Sequence, residues 1–283
     1  MAKQIHWFPG HMNKALSQVE KKIKLVDVVI ELLDARAPLS SINENLEDLI
    51  KNKKTLIVLT KEDLADPKET CRWTTFLKKQ YNQILVLNLN KSNSESILAK
   101  AVVSLGKDKW DKEIARGMKP QPIRAMIIGV PNVGKSSLIN RLAKRKAAGV
   151  QNKPGFTRGE QWIRVSKDFL LLDTPGILPM NYENRQKAIN LALIGSIRED
   201  ILPNEILSEA LLDYLRINYP TALNSRYEIR EIGARHEVLN QIAERRKLVD
   251  STGQNDLLKA ETLLLKEFKD GLLGRISLEK YES

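Results

Sequence analysis

Cysteine is nearly absent: Cys71 is the only one in 283 residues. A single thiol excludes an internal disulfide and a cysteine-built metal site, and it fits a reducing compartment. Long apolar runs are missing too, since none approaches the ~20 residues that span a bilayer. The start, Met1-Ala2-Lys3-Gln4-Ile5-His6-Trp7-Phe8, lacks the apolar core of a signal peptide. A cytoplasmic protein without a membrane partner is the expectation. What the chain does have is positive charge, 46 Lys and Arg against 35 Asp and Glu, a formal +11. That excess favours a polyanionic partner. Nucleic acid and an anionic membrane surface both qualify, and so does a basic face that is merely solvated.

The stretch Gly129-Val130-Pro131-Asn132-Val133-Gly134-Lys135-Ser136-Ser137 organises the rest. It follows the apolar run 125–128 and opens a helical pattern at 138–144, so strand, glycine-rich turn and helix N-terminus come in order, as in a phosphate-binding loop. Backbone N–H groups of Val133, Gly134, Ser136 and Ser137 can converge on an anion, and Lys135 can reach the outer phosphates. The Ser136 hydroxyl is a magnesium ligand of the type this pattern supplies.

Upstream, apolar runs at 26–33, 55–59 and 84–87 alternate with helical patterns at 42–51, 67–81 and 94–105. Such alternation predicts a doubly wound, mainly parallel α/β sheet. Segment 107–121 is charged and ends in prolines, which predicts a surface connector. Downstream, 147–161 reads as a mobile loop, and strands are expected at 162–165 and 169–172. Beyond about 180 the strand signal stops, and helical periodicity at 185–197, 204–218, 234–250 and 255–270 predicts an all-α C-terminal domain. The expected division is 1–178, with an N-terminal extension 1–24, and 179–283.

Asp173-Thr174-Pro175-Gly176 follows the last strand. Asp173 is placed to hold Mg²⁺ through water, the Gly176 N–H to face a terminal phosphate, and Thr157 to give Mg²⁺ a second hydroxyl. Thr60-Lys61-Glu62-Asp63 offers base selection: a carboxylate at Asp63 can accept from both N1–H and the 2-amino group of guanine, whereas adenine presents no such donor pair. Lys61 can lay its alkyl stem along the base. GTP is therefore the expected substrate.

These motifs resemble those of the translation-factor-related GTPases, but in permuted order, with the base-reading motif ahead of the phosphate loop. Together with Trp7-Phe8-Pro9-Gly10-His11-Met12, Asp34-Ala35-Arg36 and the helical tail, they resemble the ribosome biogenesis GTPase A family over essentially the full length. The resemblance implies a circularly permuted, cytoplasmic GTPase that binds large-subunit ribosomal RNA and acts late in 50S subunit assembly. Off the ribosome a monomer is expected. One departure is Thr60, where the family pattern has asparagine. The loop that usually reads Ser-Ala-Lys is degenerate, with Asn90 and Lys91 as its counterparts.

The residue after Gly176 is Ile177, whose aliphatic side chain cannot orient water as a glutamine there does in many GTPases. His11 matches the family's proposed catalytic histidine and joins Lys135 as the catalytic pair; the alternative is that Trp7 to His11 form a packing or interaction motif. Similarity to other Pro-Asn-x-Gly-Lys-Ser loops implies that Asn132 helps hold a potassium ion. The other reading of the whole is a weakly catalytic, GTP-dependent RNA-binding switch.

Overall fold

The computed structural model describes residues 17–89, 91, 93–144, 162–172, 184–197 and 201–281, and of 143 and 144 the backbone alone. His11, Asn90, Thr157, Asp173 and Gly176 therefore lie outside the described residues. Within them, six strands form one sheet in the order β3-β2-β1-β4-β6-β5. They are β1 (Val28–Asp34), β2 (Lys54–Thr60), β3 (Gln83–Leu87), β4 (Ile123–Gly129), β5 (Trp162–Ser166) and β6 (Phe169–Leu172). All neighbours are parallel except β5, which pairs antiparallel to β6.

Every residue of β1 is buried, as the near-continuous apolar sequence of a strand covered on both faces requires. Val28, Ile30 and Leu32 pack with Leu98 and Val102 of α4 (Ser94–Ala115) and with Leu138 and Leu142 of α5 (Lys135–Lys144). On the opposite face, Val29 meets Leu46 and Ile50 of α2 (Glu44–Ile50), and Leu33 meets Leu77 of α3 (Pro67–Leu77). Helices on both faces match the doubly wound expectation. Register then sets the functional edge: Asp34 lies opposite Thr60, and Leu32 opposite Gly129. The chain order steps from β1 outward to β3 and then to the other side of β1, so the C-terminal ends of β1 and β4 flank the point where open α/β sheets hold ligands.

Between the two apolar clusters of that second face stands Glu31, 1% exposed, its carboxylate oxygens without a hydrogen-bond partner among the described residues. Burial pushes its carboxyl up to about 7, and the nearby charge of Glu47 adds to this. The folded protein thus keeps a proton that the unfolded chain releases near 4.5. The favourable contribution of the protonated group is complete below that value and is lost as the pH rises through 7. Glu31→Gln is expected to stabilise the protein by about 2 kcal/mol at pH 8 and by little near pH 5. Urea denaturation at the two pH values checks this; an unchanged difference between them would remove the titration.

The segment expected to connect β3 to β4 on the surface is instead mostly helix. α4 runs on to Ala115. Its glycine, Gly106, is what hid the continuity: a Cβ there would lie 2.7 Å from Ile123 Cγ2, so the residue must be small to let the helix lie against β4. Lys109 of the continued helix reaches Asp27 at 2.9 Å, and Trp110 Nε1 donates to Gln121 O.

From residue 184 on, the described chain is helical: α6 (Arg185–Leu193), α7 (Asn204–Asn218), α8 (Asn224–Tyr227), α9 (Arg235–Arg246) and α10 (Leu257–Lys269). An isolated bridge, Val249 to Asn255, is the one β pairing among its described residues. The same hydrophobic cluster that covers one face of the sheet continues through Ile189, Leu211, Leu239 and Leu264 of these helices. The chain then turns back toward the sheet. Leu278 N donates to Arg36 O at 2.7 Å, Trp73 Nε1 donates to Glu279 O at 3.0 Å, and the Tyr281 ring packs on Trp73 and Phe76. The Glu279 carboxylate accepts from Leu39 N and Ser40 N in the short helix α1 (Pro38–Ser41).

Candidate nucleotide-binding site

β4 ends at Gly129, and α5 begins at Lys135. Two glycines are obligatory in the turn between them. At Gly129 (φ +145°) a Cβ would sit 2.6 Å from Leu32 O, and at Gly134 (φ +110°) it would sit 2.9 Å from Leu89 Cδ1. Val130 and Val133 are fully buried and pin the turn to the core, while Asn132 takes the left-handed conformation (φ 57°). Ser136 and Ser137 stand exposed in the first turn of α5. The Lys135 ammonium folds over the loop, donating to Gly129 O at 2.9 Å and Val130 O at 2.6 Å, and is only 7% exposed. Burial pulls this lysine down to about 8. Unpaired helix N–H groups, the helix dipole and a cation at one spot suit a phosphate group.

Thr60 ends β2 beside this loop and is fully buried. Its hydroxyl lies 2.7 Å from Val133 O and 3.1 Å from Leu33 O, joining three segments with one proton. The threonine thus occupies a joint between β2 and the phosphate loop that requires a small donor. Lys61 follows in the left-handed conformation (φ 56°) and pairs with Asp34 Oδ2 at 2.9 Å. Glu62 pairs with Lys91 at 3.0 Å, so the two loops expected at a base do meet. Asp63 is exposed, and its carboxylate has no partner among the described residues.

Asp34 and Arg36 carried no assigned role beyond a motif in the sequence, yet they occupy the centre. Asp34 is fully buried and takes a fork from Arg36, Nε to Oδ1 at 3.0 Å and Nη2 to Oδ2 at 2.9 Å. Burial alone would raise this carboxyl, but Arg36 and then Lys61 hold it well below the usual carboxylate range. Arg36 also donates to Lys269 O at 3.1 Å and Ile194 O at 3.4 Å. The Asn132 side-chain amide donates to Gly195 O at 2.7 Å, and its oxygen has no partner among the described residues. Together Arg36, Lys61, Asn132, Gly195 and Lys269 line a cleft of about 380 Å³ between the strand ends and the helical half. An acid and a base two residues apart, just past a buried strand at the sheet's reversal point, were the sequence signal for this junction.

The basic side chains of the tail are largely engaged within the protein. Arg226 and Arg246 both reach Glu267, Arg235 is 2.6 Å from Glu261, Arg245 is 2.7 Å from Glu228, and Lys259 is 2.9 Å from Asp256. Arg230, Lys247 and Lys266 remain exposed without an ion pair among the described residues. The carboxylates Glu261 and Glu267 are buried and need their arginines, which composition alone cannot reveal. No helix among the described residues is long and apolar enough to cross a membrane.

A family model described as 50S ribosome-binding GTPase matches residues 124–219. The chain is 41% identical to the ribosome biogenesis GTPase A of Bacillus cereus over 279 residues, covering 98% of this chain and 94% of that protein. It is 32% identical to the ribosome biogenesis GTPase A of Thermotoga maritima over 276 residues, again covering 98% and 94%. A solved structure of GDP-bound YlqF matches with a TM-score of 0.69 at 27% identity, covering 94% of this chain and 100% of that one. GNP-bound YlqF from T. maritima matches with a TM-score of 0.67 at 27% identity, covering 94% and 98%. Identity sustained over nearly the whole of both chains, on a fold shared with YlqF, means that this chain belongs to the ribosome biogenesis GTPase A family.

Proposed function

We propose that this protein hydrolyses GTP to GDP and phosphate as an assembly factor in a late step of 50S ribosomal subunit biogenesis, binding large-subunit rRNA. The observation that carries the reading is the Thr60 joint: its hydroxyl on Val133 O locks a loop bearing an unpartnered Asp63 against the glycine loop bearing Lys135. A guanine and its phosphates can then be gripped at once from neighbouring strand ends. The family name shared by the relatives supports the ribosomal role.

The chain is read as circularly permuted, with a GTPase domain over 1–178 and a helical RNA-binding domain over 179–283. In support, the base loop after β2 precedes the phosphate loop after β4, although β1 alone separates the two strands in the sheet. In the bound state Lys135, with the N–H groups of Val133, Gly134, Ser136 and Ser137, would hold the phosphates. Thr60, Lys61, Glu62 and Asp63 would hold the base, flanked by Asn90 and Lys91. Ser136 would ligate Mg²⁺ together with Thr157 and Asp173, Gly176 would face the terminal phosphate, and the Asn132 oxygen would hold K⁺. These ions supply positive charge to the phosphoryl oxygens. His11 is assigned to the attacking water. The excess positive charge of the chain supports contact with rRNA phosphates; a cytoplasmic location without a membrane partner is part of the same proposal.

GTP turnover measured in potassium buffer is expected to rise when purified large subunits are added and to fall when sodium replaces potassium. His11→Ala is expected to keep nucleotide affinity and lose about 10²-fold in subunit-stimulated turnover. Slow hydrolysis indifferent to subunits would instead support a weakly catalytic RNA-binding switch.

A further inference from the structure

The end of the chain grips the loop that bears Asp63. Arg275 Nη2 donates to Glu62 O at 2.6 Å and its Nε to Ala65 O at 2.8 Å, so one guanidinium holds both sides of the turn. Ile276 N donates to Leu64 O at 3.0 Å, and Ser277 Oγ accepts from Asp66 N at 3.1 Å. Close packing reinforces the grip: Gly271 adopts φ +77°, and a Cβ there would lie 2.5 Å from Leu64 Cδ2. Carbonyls 62, 64 and 65 are thus all held by residues more than two hundred positions away, while the Asp63 carboxylate itself is left open.

The grip has a firm base. Leu278 is bonded to Arg36, Glu279 to α1 and Trp73, and Tyr281 N to Glu69 at 3.0 Å. A planar fork on two carbonyls fixes orientation as well as distance, which a single ammonium cannot do.

We infer that Arg275 is a positioning residue for base recognition, and that the C-terminal strap 275–281 sets how sharply guanine is distinguished from purines lacking the 2-amino group. This rests on the proposal above that Asp63 reads guanine. Two hydrogen bonds to the N1–H and 2-amino edge demand that the carboxylate be aimed in the plane of the base. Among the described residues Asp63 has no side-chain partner to aim it, so its direction comes from the backbone that Arg275 holds. Hypoxanthine offers N1–H alone and tolerates a misaligned carboxylate better.

The test compares GDP and IDP affinities by calorimetric titration of the full chain and of its Arg275→Ala and Arg275→Lys variants. The unmodified protein is expected to favour GDP. In Arg275→Ala, GDP affinity is expected to fall about tenfold and IDP affinity much less, so the ratio contracts, with Arg275→Lys between. In an Asp63→Ala background, Arg275→Ala is expected to leave the ratio where it is, the non-additivity of residues acting as a unit. If Arg275→Ala does not fold, the Arg275→Lys ratio carries the test. A ratio untouched by either variant, or equal losses for both nucleotides, would overturn the inference and leave the guanine reading standing. An unmodified protein that binds GDP and IDP alike would overturn that reading and the inference with it.

Discussion

Lys135→Ala is expected to cost at least about 10²- to 10³-fold in GTP turnover, the scale seen when a preorganised charge donor is removed from a phosphoryl or acyl site. The size of the expected effect follows from the setting of this lysine. Its ammonium is held by the carbonyls of Gly129 and Val130 and, among the described residues, by no carboxylate, so these partners solvate its charge without neutralising it. Burial has already drawn it down to about 8, which means that the empty site disfavours the cation and an arriving phosphate restores it. Nucleotide binding is therefore expected to be coupled to proton uptake. Above pH 8 the empty site increasingly holds a neutral amine, while the phosphate-bound site holds the ammonium. GDP affinity is expected to weaken as pH rises past 8, and calorimetry at pH 9 in buffers of different ionisation enthalpy should register protons taken up. Wild-type turnover in Lys135→Ala would sink the assignment; pH-independent affinity between 7 and 9.5 would sink the coupling.

Much of this architecture was legible because it rests on local rules. Buried parallel strands must be apolar on both faces, so β1, β2 and β4 could be read within two residues of their ends. α7 is bounded as its periodicity predicts, Asn204 to Asn218. The glycine loop was legible for a similar reason, since only glycine fits at 129 and 134. What could not be read was set by distant partners. Gly106 broke a helix on paper, although its missing Cβ is what lets that helix pass Ile123. Thr60 stood out as a departure from a family pattern, but its bond to Val133 O spans 73 residues. Arginines that composition assigns to an outward face are committed to Glu261 and Glu267 inside the helical half. The strap on the base loop joins positions 275 and 62, and no periodicity announces it.

Arg36→Ala is expected to destabilise the protein by about 3–5 kcal/mol, because it strands one charge of a buried pair. Asp34 is fully buried and Arg36 2% exposed. Removing the guanidinium leaves Asp34 with the Lys61 ammonium and the backbone N–H of residue 36, and takes one donor from each of the carbonyls of Ile194 and Lys269. At about 2–4 °C per kcal/mol for a chain of this class, the melting midpoint should fall by roughly 10 °C. Asp34→Asn approaches the same junction from the other side and adds a pH signature. Because the Asp34 carboxyl is held well below its ordinary 3.8, its stabilising contribution is complete above that value and fades as pH falls through it. The gap between wild type and Asp34→Asn should be flat from pH 5 to 8 and should narrow only under more acid conditions. The junction also predicts where the damage spreads. Ile194, bonded to Arg36, adjoins Gly195, whose carbonyl receives Asn132 from the phosphate loop. Amide hydrogen exchange in Arg36→Ala should therefore rise at 194–197 and at the base loop before it rises in β2 or β3. A cost below about 1 kcal/mol, or exchange that rises evenly across the sheet, would mean that Arg36 does not join the two halves.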